Sequence, residues 1–267
     1  MTQVPPVQSL KNRFPFRLGT TSYIIPDEIE PNVRYLADKV DDIEVVLFES
    51  DEYSNIPDLE LVARMADIAA EHDLTYTIHL PLDAHLGHTD EAIRRSSVDK
   101  CLRIIDRMGK AAPFAYVLHL STECMGVDSP RDLDRWSGQN RRSIKELLNA
   151  VEPRDLCVET LSYPYDLIAS TVTDFDLSIC LDVGHVLLCG YSLEEYLNRY
   201  LSRTRIMHLH GIDNGKDHVD ISHLDECVLD MIIEKLIVNP KPRVVTLEIF
   251  EEAHLKQSLD ILRRYAL

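Results

Sequence analysis

The chain has little glycine, 9 residues in 267, a single tryptophan, and an aromatic content of only 7%. Its 6 cysteines stand singly at positions 101, 124, 157, 180, 189 and 227, with no Cys-x-x-Cys pair. That scatter suggests no disulfide framework. The cysteines are expected as free thiols in a reducing compartment, with Cys157 and Cys180 as small core residues. No apolar run approaches the ~20 residues a membrane helix needs, and residues 1–10 carry no signal-peptide pattern. A soluble, cytoplasmic protein without a membrane partner is therefore expected. Basic charge is also scarce: 28 Lys and Arg stand against 45 Asp and Glu, a net charge of −17. Nucleic-acid binding draws on counterion release at a basic face. Only the short pairs Arg94-Arg95, Arg141-Arg142 and Arg263-Arg264 are available, so no nucleic-acid partner is expected. The glycine-rich turn of dinucleotide folds is missing as well, because Gly19-Thr-Thr-Ser22 lacks its second and third glycines.

What is present is a regular alternation. A hydrophobic content of 45% over 267 residues is enough for a large core. After a proline-bearing leader over 1–13, apolar runs at 16–20, 43–49, 75–80, 115–120, 156–160, 177–182, 206–210 and 244–249 read as strands. Segments of helical period separate them. In 57–72, Leu61, Met65 and Ile68 recur at helical spacing, with Pro57 suited to the first turn. Ser129-Pro130 opens a helix carrying Leu133 and Trp136, and Ser192-Leu-Glu-Glu195 has the form of a capping box. The closing segment, 253–265, places Leu255, Leu259 and Leu262 on one face. Eight strand–helix units in this length predict an α/β fold, a single (β/α)8 barrel spanning 1–267.

In such a barrel the active site lies at the carboxyl ends of the strands. The third to eighth strands end in His79, His119, Glu159, Asp182, His208 and Glu248, with His185 just past Asp182. Residues two apart on a strand share a face. Thr77, Val117, Cys157, Cys180 and Thr246 are then expected inside the barrel with these donors, and Ile78, Leu118, Val158, Leu181 and Leu247 outside, against the helices. Any one of these histidines alone would more often be a hydrogen-bonded core residue. Together, three carboxylates at one mouth repel and lose hydration unless a cation neutralises them, which points to a metal site. A polar loop after the seventh strand supplies Asp217 and His218 as two further candidate ligands. Mixed imidazole and carboxylate ligands suit divalent Zn above all, with Mn, Fe or Co as alternatives. Glu159 and Glu248 are candidates for bridging metals and for catalysis, and Glu49, at the expected end of the second strand, for positioning water or substrate. His210 faces inward beside His208 as a supporting or substrate contact. Tyr53, Tyr163, Tyr165 and Tyr191 offer flat faces to a large ligand.

Asp182-Val-Gly-His185 and His208-Leu-His210-Gly211 resemble the D-x-G-H and H-L-x-D segments of the xylose isomerase-like barrel superfamily, which includes endonuclease IV and ketose epimerases. Gly211 departs from that pattern, where the family has Asp. The resemblance implies one of two sites. Single-metal epimerases would use Glu159, Asp182, His208 and Glu248. Multinuclear phosphodiesterases would add His79, His119, His185 and the pair Asp217-His218, here adjacent where the endonuclease spaces them by one residue. This chain is similar to the second type, which implies more than one divalent ion. Leu18-Gly-Thr-Thr-Ser-Tyr23, Val40-Asp-Asp-Ile-Glu-Val-Val-Leu-Phe-Glu49 and Leu74-Thr-Tyr-Thr-Ile-His-Leu-Pro-Leu-Asp83 resemble cobamide-remodelling phosphodiesterases. That likeness implies an adenosylcobamide substrate whose nucleotide loop is hydrolysed to leave cobinamide phosphate. The alternatives are a sugar isomerase or epimerase, and a non-catalytic corrinoid- or metal-binding barrel.

Overall fold

The computed structural model describes residues 7–50, 53–122 and 130–267. Eight parallel strands close into a barrel in the order β1-β10-β7-β6-β5-β4-β3-β2. They are β1 (Arg17–Thr21), β2 (Asp42–Val46), β3 (Thr75–His79), β4 (Ala115–Leu118), β5 (Leu156–Glu159), β6 (Ser178–Asp182) and β7 (Thr204–Leu209). A two-stranded hairpin of β8 (Gly211–Asp213) and β9 (Lys216–Val219) follows, and β10 (Val244–Leu247) closes the barrel. The predicted barrel is thus the observed one.

The helices on its outside are α1 (Ile29–Leu36), α2 (Leu59–His72), α3 (Glu91–Met108), α4 (Pro130–Leu147), α5 (Asp166–Asp174), α6 (Val183–Leu188), α7 (Leu193–Tyr200), α8 (Glu226–Val238) and α9 (Glu252–Leu262). Among the described residues none is long and apolar enough to cross a membrane. Local chemistry sets several boundaries. Asp58 accepts from Leu61 N at the start of α2, and Ser192 accepts from Glu195 N at the start of α7, each satisfying an amide that the first turn leaves orphaned. In α9 the predicted stripe of Leu255, Leu259 and Leu262 is buried. In α2 the buried face is Val62, Met65 and Ile68, so Val62 takes the place expected of Leu61.

Strand parity divides the core in two. Ala115, Val117, Cys157, Cys180 and Ile206 form a small cluster inside the barrel. Ile78, Leu118, Val158, Leu181 and Leu247 belong to the large cluster between strands and helices. The alternation seen in the sequence therefore sorts interior from exterior as expected. Cys101, Cys157, Cys180, Cys189 and Cys227 are free thiols, while Cys124 and the expected start at Ser129 lie outside the described residues. The latter part of the segment read as a leader is packed in place: Val7 and Leu10 are buried in the outer core, and Leu267 N donates to Arg13 O.

Most strand ends shift by one or two residues from the sequence reading, and two differences bear on the site. The second strand ends at Val46, short of Glu49, which forms only an isolated bridge with Ser54. The segment expected as a loop after β7 is the β8–β9 hairpin, turning at Asn214 (φ 50°) and Gly215 (φ +81°). Left-handed Asn-Gly at the turn is what a two-residue hairpin with the right twist requires.

The barrel interior holds two carboxylates on β2. Asp42 is fully buried, accepts from Thr75 Oγ1 at 2.5 Å, and keeps Oδ1 without a hydrogen bond. Burial pushes its carboxyl up to about 7. Since the folded-state value lies above the unfolded one, ionised Asp42 opposes folding. The penalty is absent below the usual carboxylate range and complete above about pH 7. Asp42→Asn should therefore raise the melting temperature at pH 8, by a stability gain of roughly 2–4 kcal/mol, and change it little at pH 4. Thermal denaturation followed by circular dichroism at the two pH values checks this.

Candidate metal centre

His79, Glu159 and Asp182 are the last residues of their strands, His208 is the penultimate residue of β7, and His119 and Glu248 follow β4 and β10 directly. Because all share the inward parity, the closed barrel aims them at one mouth. His119 Nε2 lies 2.8 Å and His79 Nε2 3.4 Å from Glu159 Oε2. Glu159 Oε1 lies 3.4 Å from His185 Nδ1 and 3.6 Å from His208 Nδ1. His208 Nδ1 in turn sits 3.0 Å from Glu248 Oε2 and 3.7 Å from Asp182 Oδ2.

Three adjoining groups have ligand atoms within 4.8 Å of one another: His79, His119 and Glu159; Glu159, Asp182, His208 and Glu248; and His185, Asp217 and His218, with overlapping sets that bring Cys180 to Glu159 and His208, and His210 to His218 and Glu248. Nine of the residues singled out in the sequence are thus brought together, with Glu159 shared by two groups. Glu49 is in none of these three groups. Its Oε1 accepts from Arg103 at 3.0 Å, past the end of β2. Of the tyrosines, Tyr165 is buried, Tyr191 stacks on Tyr196, Tyr163 is largely buried but borders the space around His119 and His185, and Tyr53 is exposed.

Two local devices build the third group. Asp182 also caps α6, its Oδ1 accepting from His185 N at 2.6 Å, so the same carboxylate that faces the mouth fixes the turn that returns His185 to it. On β9, His218 adopts φ 55°, a backbone region that costs a non-glycine residue on the order of 1 kcal/mol. Its Nδ1 lies 3.1 Å from Glu248 O, and its amide donates to His210 Nδ1. The hairpin is thereby latched onto the barrel rim.

The electrostatics are those of a site built for positive charge. Burial alone would raise Glu159 and Asp182. His119 and His208 hold the first, and His210, His208 and His185 the second, well below the usual carboxylate range. Burial would likewise lower His79, but Glu159, Glu44 and Glu248 raise it to about 9. His208, walled by Glu248, Glu44 and Glu159, is raised well above its usual value despite complete burial. The protons on these imidazoles neutralise the carboxylates, and divalent ions would neutralise them instead, releasing protons as they bind. Glu159 Oε1, Glu248 Oε2 and His208 Nδ1 are buried without a hydrogen bond within the protein, although buried polar atoms rarely go unpaired. Oxygen and nitrogen donors left open in this way fit zinc and its neighbours.

Glu44 is the site residue the sequence reading passed over. It is wholly buried on β2, and its Oε2 lies 2.9 Å from His208 Nε2, on the far side of the ring from the candidate metal position. A carboxylate behind a ligand imidazole fixes its orientation and strengthens its basicity. The available signal was Asp42-Ile-Glu44-Val-Val46, an acidic alternation inside an otherwise apolar strand. Glu44→Ala should weaken metal binding by about 10- to 100-fold while leaving the barrel folded. Competition with a chromophoric chelator reads the affinity.

Glycine makes the site possible at two points. A Cβ on Gly184 would lie 1.9 Å from the His210 ring, which packs over the α6 turn and reaches Asp182 at 3.3 Å. At Gly211 a Cβ would lie 2.1 Å from Asp220 O, so no aspartate can occupy this position beside the hairpin.

The sequence profile of the family described as "Xylose isomerase-like TIM barrel" matches residues 36–265. No curated protein matches the sequence. Among solved structures, a D-tagatose 3-epimerase-like protein superposes with a TM-score of 0.75 at 16% identity, covering 93% of this chain and 96% of its own. A 3-keto-D-glucoside 4-epimerase from E. coli gives 0.73 at 16%, with coverages of 93% and 99%. Endonuclease IV from Thermus thermophilus gives 0.69 at 17%, with coverages of 93% and 98%. At these identities the likeness speaks to fold.

Proposed function

The chain belongs to the xylose isomerase-like TIM barrel family, and from that footing we propose that it is a metal-dependent phosphoric diester hydrolase. The observation that carries this reading is the excess of donors. A single-metal epimerase of the kind set out above would need only Glu159, Asp182, His208 and Glu248. Here His79 and His119 adjoin that set on one side, and His185, Asp217 and His218 on the other. Several cations side by side suit a diester, whose attacking and leaving oxygens must both be stabilised.

When bound, divalent ions at these residues supply Lewis acidity and activate water at neutral pH. The remaining work falls to the chain. Glu159, reaching the first two groups at once, fixes their spacing. Glu44 orients His208 from behind, and Asp182, held by His210 and by the α6 turn, keeps its second oxygen aimed at the mouth. Water adds to phosphorus, one P–O ester bond breaks, and the departing alcohol takes the proton.

The finer reading is that the diester is the nucleotide loop of an adenosylcobamide. It is supported by the sequence likeness of 18–23, 40–49 and 74–83 to cobamide-remodelling enzymes. The P–O bond on the nucleoside side would break, leaving the phosphate on cobinamide. Incubating the metal-loaded protein with adenosylcobalamin tests this, with cobinamide phosphate and more than one metal equivalent per chain as the expected outcome. A single metal equivalent with ketose turnover and no diester cleavage would favour the epimerase. Bound corrinoid without product would favour a catalytically inert barrel.

A further inference from the structure

Beside the metal centre, the loops after β1, β2 and β10 wall a cleft of about 810 Å³. Its apolar side is made by Tyr23, Ile24, Phe48 and Phe250. The Phe48 ring packs edge-on to Tyr23 at 5.9 Å and lies 6.4 Å from exposed Tyr53. Asn55 braces this wall, its Nδ2 donating to Tyr23 Oη at 2.6 Å and its Oδ1 accepting from Phe48 N at 2.6 Å. Phe250 joins the cleft to the metal centre, its ring 5.4 Å from that of His218. Phe48 and Phe250 remain 36% and 40% exposed, although large aromatic faces gain most from being covered. The rest of the wall is acidic. Asp27, Glu28, Glu251 and Glu252 line it; Glu251 lies 3.9 Å from His254 Nε2, Glu252 accepts from Tyr35 Oη, and among the described residues no lysine or arginine pairs with any of the four. A smaller cleft of about 380 Å³ lies around His119, His185 and Asp217, rimmed by Leu82, Tyr163 and Leu188. The candidate metal centre therefore has one cleft at His119 and His185 and, beyond the Phe250 ring that meets His218, a larger one.

We propose that the larger cleft is a substrate subsite taking one alcohol half of the phosphodiester, a broad flat group that is apolar on its face and carries no anionic substituents. This rests on the hydrolase reading and specifies its substrate class. Aromatic rings held edge-on and braced from behind offer a stiff surface for stacking, and a planar ligand loses little conformational freedom against it. Four carboxylates around the rim, without a lysine or arginine to offset them, repel phosphate or carboxylate groups and favour amides or positive charge. A nucleic-acid strand, with a phosphate on every residue, is disfavoured by the same rim.

The experiment compares two probes that share one ring. Cobinamide carries side-chain amides and a positively charged centre, whereas cobyrinic acid has carboxylates in place of the amides. Neither contains a phosphodiester, so binding is read by visible absorbance without turnover. Cobinamide should bind at least about tenfold more tightly than cobyrinic acid, and the preference should shrink in Glu28→Gln/Glu251→Gln. Phe48→Ala and Phe250→Ala should each weaken cobinamide by about five- to tenfold. Phe250→Leu, which keeps the apolar volume but not the flat ring, should fall between. Val238→Ala, on α8 away from the mouth, should titrate as wild type, and circular dichroism confirms that each variant is folded. Equal binding of the two corrins, or Phe48→Ala and Phe250→Ala proteins that bind as wild type, would overturn the subsite. If the selectivity holds while no phosphodiester is cleaved, the subsite stands and the hydrolase reading fails. If adenosylcobalamin is cleaved and the aromatic variants change nothing, the hydrolase reading stands and the subsite fails.

Discussion

Glu159→Gln should keep its barrel and lose phosphodiester turnover by at least about 10³-fold. The substitution preserves volume, so the interior of β5 stays filled. What changes is charge and ligand capacity at a residue that the first two donor groups share. Glu159 Oε2 faces His79 and His119, while Oε1 faces His185 and His208. An amide can offer one weak oxygen ligand where a carboxylate offers two, so both adjoining sites lose affinity. Metal catalysis contributes several kcal/mol of charge stabilisation, and each ~1.4 kcal/mol is tenfold in rate, which gives the expected drop. His79→Ala and His119→Ala should be more selective, losing the metal of their own group while the set of Asp182, His208 and Glu248 keeps its ion. Metal content by elemental analysis, set beside hydrolysis rates, separates these outcomes. A Glu159→Gln protein with full metal content and full turnover would remove the basis for a shared carboxylate.

Gly184→Ala should damage both stability and metal binding. The new Cβ would stand 1.9 Å from His210 Cε1 and 2.4 Å from its Nε2, far inside contact distance. His210 has no room to retreat, being wholly buried, in contact with Asp182 and bonded to the amide of His218. Overpacking of this kind costs about 1–3 kcal/mol or more. In a chain of this size, that should lower the melting temperature by about 3–10 °C. Displacing His210 also frees Asp182 and unlatches the β8–β9 hairpin, so metal affinity should fall in the second and third donor groups together. Gly184→Ala/His210→Ala, which removes the obstructing ring, should recover most of the thermal stability without recovering the metal affinity. If Gly184→Ala alone melts and binds metal as wild type does, the packing account is wrong.

Much of this architecture is legible in the linear sequence because two of its periodicities are strict. A strand alternates its faces every residue, so Thr77-Ile78-His79 and Cys180-Leu181-Asp182 announce which side chains meet the barrel interior and which the helices. The barrel count follows from the spacing of apolar runs, and the donors follow from their positions at the ends of those runs. The misses have equally local causes. Glu49 ends an apolar-acidic run, but the chain leaves the sheet after Val46, so run length overstated the strand. Asn214-Gly215 is a hairpin turn signal, yet the flanking residues are too polar to read as strands. Glu44 looked ordinary because its role depends on His208, which lies 164 residues away in the chain.

The sequence by itself determined the closed eight-stranded alternation, the free-thiol chemistry of the described cysteines, and the set of imidazoles and carboxylates available to a cation. Only the tertiary structure decided how those donors are divided among three groups, that Glu159 is common to two, and that Glu44 stands behind His208. It also decided that an acidic aromatic cleft opens beside them. The physical reason is one of range. Face and strand end are set by neighbours one or two residues away, whereas distances between ligand atoms depend on strand order and register, which only closure of the barrel fixes.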